Sequence, residues 1–120
     1  MTILSRLIHA AAILGCALAI AATGARAAEP YRIDVILPLT GGAAFLGKGE
    51  QQALQIFQTV NNKEGGIDGQ PLEFNFHDDQ TSPQTTVQIA NGIISEKPAV
   101  MLGSSIVAMC NAIAPLLKKG

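Results

Sequence analysis

One glycine-rich segment has the residue types and spacing of a phosphate-binding loop. Residues Gly42–Lys48 read Gly-Ala-Ala-Phe-Leu-Gly-Lys and lie between a predicted strand and a predicted helix, as a P-loop does. Gly49 follows, however, where that motif requires Ser or Thr to hold Mg²⁺. We therefore interpret the segment as a glycine-rich turn with a solvated lysine.

Two carboxylates and a histidine follow one another at the end of a second predicted strand. Asp78 and Asp79 could act as a general acid and base, or bind a metal ion. Adjacent carboxylates after a strand are more typical of a turn that faces a helix dipole, and we favour that interpretation. His77 has no Cys or second His nearby, so no metal site is predicted. The chain also lacks a Gly-x-Ser-x-Gly nucleophile motif, which disfavours a hydrolase.

Two serines follow a third predicted strand. Ser104 and Ser105 lie where a helix begins, so their hydroxyls and the free backbone N–H groups could bind an anion or a carboxylate. Capping of the helix would need only one of them. We expect at least one of the two serines to contact a ligand.

The elements that position these residues alternate between strand and helix. The predicted strands are 32–37, 72–77 and 99–102; the second alternates apolar and polar residues like an edge strand, and the third is wholly apolar like a central one. A helix is predicted over about 47–62, ended by Gly65-Gly66 and followed by an Asp68-Gly69 turn. Its inner face is predicted to consist of Ala53, Leu54, Phe57 and Val60.

Two further helices are predicted from their caps and their apolar stripes. Ser82 and Pro83 have the residue types of an N-cap and a first helical position. The inner face of that helix is predicted to be Val87, Ala90 and Ile94, and the stripe of the last helix to be Ile106, Cys110, Ile113 and Leu117. Cys110 is thus expected to be a small core residue.

This alternation predicts an α/β fold with a doubly wound parallel sheet in the strand order 2-1-3. In such sheets ligands bind outside the carboxyl ends of the strands. Lys118-Lys119-Gly120 has the composition of a helix end, and a fourth strand would be expected next. We expect residues 28–120 to be the first part of a lobe in a longer protein, because the third strand would otherwise leave an apolar edge open.

The first 27 residues have the composition of a secretory signal peptide. Arg6 precedes an apolar run over 7–22, and Ala25-Arg26-Ala27 is a small-x-small cleavage site. A membrane anchor is disfavoured because the run is shorter than a spanning helix. Lipoprotein processing at Cys16 is a second alternative. Export predicts a periplasmic protein.

The net charge of the chain bears on two classes of partner. Loss of Arg6 and Arg26 leaves six basic and nine acidic side chains, a net charge of about −3. That balance does not predict binding to nucleic acid or to an anionic membrane. Cys110 is then the single cysteine, so an internal disulfide is not expected.

Three segments resemble the leucine/isoleucine/valine-binding family of ABC-transporter solute-binding proteins, which have the type I periplasmic-binding fold. Residues 39–42 with Gly47 resemble the family's first ligand loop. Residues 62–69 resemble its Asn-x-x-Gly-Gly-Ile-x-Gly signature, and the spacing of Gly103 and Pro115 resembles its third turn and helix. The resemblance extends over residues 28–120 and covers only the beginning of a family member.

The resemblance implies two lobes that close on a small organic ligand and pass it to an ABC permease in the inner membrane, without a reaction and without a cofactor. By position, Phe45 and Leu46 would line the pocket, and Ser104 and Ser105 would lie at its polar end. Val107 stands where relatives that bind amino acids usually have Ser or Thr. The ligand could therefore be a branched-chain or other amino acid, an aromatic or aliphatic acid, or an amide.

Two other functions remain open on the same sheet. An exported enzyme would use Asp78, Asp79 or His77. A ligand-sensing receptor lobe would share the fold and the pocket, and would continue into a transmembrane or signalling segment.

Overall fold

Three parallel strands form one sheet in the order β2-β1-β3 in the computed structural model, which describes residues 28–117. The strands are β1 (Tyr31–Leu37), β2 (Leu72–Asp78) and β3 (Met101–Leu102). Val35 of β1 lies in register with Phe76 on one side and with Leu102 on the other. The α/β class and the predicted strand order are confirmed.

Three helices connect or follow these strands: α1 (Ala44–Lys63), α2 (Pro83–Ser95) and α3 (Val107–Leu117). Helix α2 begins as predicted, because the Ser82 side chain accepts a hydrogen bond from the Thr85 N–H and Pro83 occupies the first helical turn. Helix α1 begins at Ala44, three residues before the predicted start. The segment 44–48 is therefore helical, and the glycine-rich turn is shorter than we predicted.

The end of α1 is built by the glycine pair. Gly66 N–H donates to the Asn61 carbonyl at 2.9 Å and Gly65 N–H to the Asn62 carbonyl at 3.3 Å, the two bonds of a Schellman motif. The backbone φ angle is positive at both glycines, +107° at Gly65 and +79° at Gly66. Asp68-Gly69 then turns the chain with positive φ at both residues, as predicted for this dipeptide.

Apolar side chains on one face of β1 form the core with α2 and α3. Ile36 packs with Ala90, Ile93 and Ile113, all of them buried. Side chains alternate along a strand, so Val35 and Leu37 point to the opposite face, where α1 lies. The sheet is thus covered by α1 on one side and by α2 and α3 on the other.

The predicted inner face of α1 is confirmed only in part: Ala53 and Leu54 line an open cleft against β1 and the Phe57 ring centroid lies 6.4 Å from that of Phe74 in β2, but little of this face is buried. Ala53, Phe57 and Val60 are exposed, whereas Leu54 is partly buried. Helix α1 also carries polar side chains that reach the outer edge of β2. Asn62 bonds both the N–H and the carbonyl of Leu72, and Gln58 accepts from the Phe74 N–H at 2.8 Å. These bonds attach α1 to the outer edge of β2 in addition to its apolar contacts.

The predicted faces of the other two helices are shifted by about one residue. In α2 the buried residues are Thr86, Ala90 and Ile93, with Val87 and Ile94 partly buried. In α3 the buried residues are Met109 and Ile113, and Cys110 and Leu117 are exposed. The prediction that Cys110 is a core residue is wrong, because the neighbouring Met109 is the buried residue of this turn of the helix.

Strand β3 is shorter and less buried than predicted. The backbone of Lys97 is in the left-handed conformation, and Pro98 has no N–H to donate. The chain therefore joins the sheet only at Met101. Among the described strands β3 lies at an edge rather than in the centre, and Leu102 keeps 37% of its surface exposed.

Candidate functional site

The carboxyl ends of the three parallel strands lie at one edge of the sheet, and the turn after each strand belongs to the candidate site. These turns are 38–43 after β1, 79–82 after β2 and 103–106 after β3. β1 lies between the other two strands, so the first turn separates the second and the third. After β1 the chain adds β2 on one side, and after β2 it crosses back to add β3 on the other side. The point where the strand order changes in this way is the usual ligand position in such folds.

Asp78 fastens the first turn to the second. Its Oδ1 accepts from the backbone N–H groups of Leu39 at 2.9 Å, Thr40 at 3.0 Å and Gln80 at 2.9 Å. Its Oδ2 accepts from the Thr40 hydroxyl at 2.6 Å. Burial alone raises the pKa of Asp78, but the Thr40 hydroxyl and the three backbone N–H groups outweigh it and hold the pKa below its usual value.

The turn after β2 has an uncommon backbone. Gln80 and Thr81 are consecutive left-handed residues, with φ of +56° and +58°. This conformation directs the Thr81 hydroxyl to the first turn, where it donates to the Thr40 carbonyl at 2.9 Å and accepts from the Ala43 N–H at 3.2 Å. Gly41 has to be glycine here, since a Cβ would lie 2.5 Å from the Gln80 carbonyl oxygen.

Asp79 joins the second turn to the third. Its side chain is fully buried, and its Oδ2 accepts from the Ser104 hydroxyl at 2.7 Å. Its Oδ1 accepts from the Thr81 N–H at 2.8 Å. The turn role that we predicted for the two carboxylates is confirmed, because every described hydrogen bond of their side chains is with a turn residue.

The five predicted ligand residues lie at this edge but differ in exposure. Phe45 and Leu46 are in the first turn of α1, and Phe45 keeps 75% of its surface exposed. Val107, the first residue of α3, is 74% exposed. Ser105 is exposed, whereas Ser104 keeps only 4% of its surface accessible. Four of the five side chains are therefore free to meet a ligand, and Ser104 is enclosed.

An open cleft of about 430 Å³ lies beside the third turn, on the α1 side of the sheet. Ser105 lines it together with Gly103 and Glu50. The rest of its lining is apolar, from β1, α1 and β3: Val35, Leu37, Ala53, Leu54 and Leu102. The sequence did not indicate Glu50, whose carboxylate is the one charged group in this lining.

A polar cluster that sequence reasoning missed lies on the opposite face of the sheet. His77 Nε2 is 2.7 Å from Asp34 Oδ1, and Asn75 Nδ2 donates to the same oxygen at 2.7 Å. Asp34 of β1 and Asn75 of β2 are opposite each other in the sheet. A polar residue within each of these two strands was the sequence signal that could have indicated the cluster. This cluster is on the face of α2 and α3, away from Ser105, and provides no link between His77 and the carboxylates at the edge.

The geometry favours neither a phosphate-binding loop nor acid–base or metal chemistry at Asp78 and Asp79. Residues 44–48 are helical, so they cannot form a phosphate-binding loop, and both oxygens of Asp78 and of Asp79 already accept hydrogen bonds. Within residues 28–117, no three His, Cys, Asp or Glu side chains are grouped so that they could hold a metal ion. The helices of that part of the chain include none with the length and apolar character to cross a membrane.

Sequence comparison identifies the class of protein that has this fold and this edge. A family model described as periplasmic binding protein matches residues 30–120, and the chain belongs to that family. Within the family, a leucine-, isoleucine-, valine-, threonine- and alanine-binding protein of Pseudomonas aeruginosa is 33% identical over 101 residues, 83% of this chain. A Leu/Ile/Val-binding protein homolog 3 of Brucella melitensis is 35% identical over 71 residues, 59% of this chain. The resemblance to leucine/isoleucine/valine-binding proteins is confirmed.

Solved structures agree on the fold. A periplasmic binding protein type 1 from Bordetella pertussis superposes with a TM-score of 0.72 at 25% identity, over 76% of this chain and 25% of its own. A branched-chain amino acid transporter substrate-binding protein from Streptococcus pneumoniae, in complex with isoleucine, gives a TM-score of 0.70 at 21% identity, over 76% of this chain and 26% of its own. The predicted type I periplasmic-binding fold is confirmed.

The chain is much shorter than these similar proteins. It spans 26% of the length of the Pseudomonas aeruginosa relative and 19% of the Brucella melitensis relative. The described residues form a sheet of three strands.

Proposed function

We propose that this chain is the first part of an extracytoplasmic solute-binding protein that delivers a small organic ligand to an ABC permease. One observation carries the proposal: Asp78 and Asp79 tie the turns after all three strands together at the carboxyl edge of the sheet. A fixed, largely polar rim of this kind suits binding and release without a reaction. Membership of the periplasmic binding protein family supports it.

The ligand is proposed to contact both sides of this edge. Phe45 and Leu46 offer exposed apolar surface on α1, and Ser105 offers a hydroxyl after β3. Val107, also exposed, places an apolar side chain beside Ser105. We propose that the ligand combines an apolar body with one carboxylate or amide group, which includes branched-chain amino acids and aromatic or aliphatic acids.

We further propose that residues 28–120 pack against later parts of a longer polypeptide. The exposed apolar side chains Ile56, Phe57 and Val60 lie along α1, and Leu102 lies at the sheet edge. Exposed apolar side chains grouped in this way are typical of a surface that contacts other protein. If residues 28–120 are expressed alone, circular dichroism should show no cooperative monomeric melt; a sharp melt of a monomer would contradict this.

Export is proposed from residues 1–27, which lie outside the described part of the chain. The family is a periplasmic one, and a signal peptide cleaved after Ala27 would deliver the protein there. Sequencing the N-terminus of the protein from a periplasmic extract should give Ala28. A start at Cys16 would indicate lipoprotein processing instead, and recovery only from the cytosol would contradict export.

Ligand binding by the complete protein tests the proposed function. Thermal unfolding is measured with L-leucine, L-isoleucine, benzoate, hexanoate and benzamide, each at millimolar concentration. A ligand present at 1,000 times its Kd stabilises the folded state by about 4 kcal/mol, so a true ligand raises the Tm by several degrees. Isothermal titration calorimetry then gives the Kd. If no compound of these classes shifts the Tm, the proposed function is wrong.

A further inference from the structure

The two neighbouring carboxylates at the site edge hold different turns. Asp78 accepts hydrogen bonds from the first turn, at Leu39 and Thr40. Asp79 accepts from the third turn, at Ser104. Both also accept one N–H from the turn between them, at Gln80 and Thr81. The carboxylates of Asp78, the last residue of β2, and of Asp79 therefore hold both of the other turns.

Asp79 makes hydrogen bonds to several of the segments that meet at this edge. Its backbone N–H donates to the Leu37 carbonyl at the end of β1, at 3.0 Å, and its carbonyl accepts from the Ser82 N–H at the start of α2, at 2.9 Å. Its carboxylate reaches Ser104 after β3. A fully buried carboxylate is costly unless it is well hydrogen-bonded, and here both oxygens are.

The hydroxyl of Ser104 is committed to this contact. Its single proton is donated to Asp79, and burial leaves almost none of its surface open. The Ser104 carbonyl accepts from the Cys110 thiol of α3. Ser104 is thus held from both sides, between the turn after β2 and the first turns of α3, and the adjacent Ser105 remains exposed.

We propose that Asp79 is a positioning residue for the ligand site: through the Ser104 hydroxyl it sets the place of Ser105 and Val107, and Ser104 itself does not contact the ligand. This assigns to Ser104 a different role from the direct contact that its position in the sequence indicates. The effect on ligand affinity rests on the proposed function, whereas the effect on the turn does not.

Amide hydrogen exchange of the complete protein, followed by mass spectrometry without ligand, tests the effect on the turn. Ser104→Ala removes the hydroxyl, so exchange in peptides covering 103–110 and 80–82 should be about tenfold faster. Ser104→Thr keeps a hydroxyl and should restore slow exchange. Ser95→Ala is the matched control, since the Ser95 hydroxyl bonds only within its own helix, to the Gly92 carbonyl.

Asp79→Asn supplies a second variant. The amide oxygen can still accept from Thr81, but the amide nitrogen then faces Ser104 and the charge is lost. Exchange should rise about threefold in the same peptides. The double variant with Ser104→Ala should exchange no faster than Ser104→Ala alone, because both substitutions break the same hydrogen bond, the one between Ser104 and Asp79. Independent, additive effects would overturn the shared role.

Binding of L-isoleucine, measured by calorimetry at a temperature where every variant is folded, tests the effect on the ligand. Ser104→Ala and Asp79→Asn should both weaken it, and Ser104→Thr should bind like the original protein. Weakening by Ser104→Ala alone would show that Ser104 touches the ligand and would overturn the proposal. If neither L-isoleucine nor any other compound binds, the proposed function fails, and the exchange result alone decides the role of Asp79.

Discussion

Gly47, in the first turns of α1, lies directly against the carbonyl group of Pro38 at the end of β1. A Cβ at Gly47 would overlap that carbonyl, whereas a Cβ at Gly49, two residues on, would meet no atom within 4 Å. This contact sets how closely the helix that carries Phe45 and Leu46 approaches the sheet. It explains why glycine stands inside a helix at position 47, where it is otherwise unfavourable.

The two glycines make a matched pair of variants. Gly47→Ala should lower the free energy of unfolding by about 1–3 kcal/mol, because the new methyl group pushes α1 from β1. Gly49→Ala should raise it by up to about 1 kcal/mol, because alanine favours the helix. Chemical unfolding of the complete protein measures both. Equal effects of the two substitutions would contradict the close contact at Gly47.

Asp78 should make the stability of the protein depend on pH at the acid end. Hydrogen bonds hold the pKa of Asp78 in the folded protein below the ordinary value of 3.8. The ionised carboxylate therefore stabilises the fold fully at pH values above its pKa in the unfolded chain. This stabilisation is lost as the pH falls through the pKa of the folded protein. Asp78→Asn should therefore be less stable than the original protein at pH 7, and the difference should narrow below about pH 4. Urea midpoints from pH 7 to pH 3 measure this.

Asp68→Asn is the control for that series, since Asp68 is exposed in a turn far from the site edge and Asn tolerates its positive φ. A stability difference for Asp78→Asn that stays constant down to pH 3 would contradict the role of the ionised carboxylate.

The attachment of α1 to the outer edge of β2 should depend on Asn62. Its side chain donates to the Leu72 carbonyl at 2.9 Å and accepts from the Leu72 N–H at 2.6 Å. Asn62→Ala leaves both backbone groups without these partners and should cost about 1–3 kcal/mol of unfolding free energy. Asn91→Ala, at an exposed position of α2, should change it by less than about 0.5 kcal/mol. Equal losses would contradict this role for Asn62.

Val107 should influence which ligand is preferred. Its side chain is exposed at the start of α3, so Val107→Thr is expected to leave the Tm unchanged. The added hydroxyl should favour L-isoleucine over hexanoate by about tenfold in Kd, the effect of one hydrogen bond to a charged group. Calorimetry with both compounds measures the ratio. An unchanged ratio would place Val107 outside the ligand site.

Phe45 should contribute to affinity and not to stability. It is exposed at the site edge, and Phe45→Ala is expected to weaken the tightest ligand at least fivefold with little change in Tm. Phe57→Ala is the matched control, because Phe57 is 55% exposed on the same helix but lies midway along it. Similar affinities for the two variants would remove Phe45 from the site.

Local sequence was sufficient for the turns and caps. Ser82 and Pro83 begin α2, Gly65-Gly66 ends α1, and Asp68-Gly69 turns the chain, because each depends on the conformational preference of one or two residues. The strand order was also predictable, since parallel strands joined by right-handed crossovers leave few arrangements.

Orientation of the helices was not predictable in the same way. The apolar stripe of α1 predicted a buried inner face, but Phe57, which lies beside Phe74, and Val60 stay about half exposed, and polar side chains of α1 bond the edge of β2 instead. In α3, Met109 rather than Cys110 is buried, a rotation that periodicity alone does not resolve.

The sequence by itself determined the α/β class, the parallel 2-1-3 order and the edge of the sheet at which the polar turns meet. Only the tertiary structure decided what the polar residues at that edge do. Asp79 and Ser104 are 25 positions apart, and neither residue type indicates the other. Their hydrogen bond exists because parallel strands bring three separate turns to one edge, and burial there requires every polar group to find a partner.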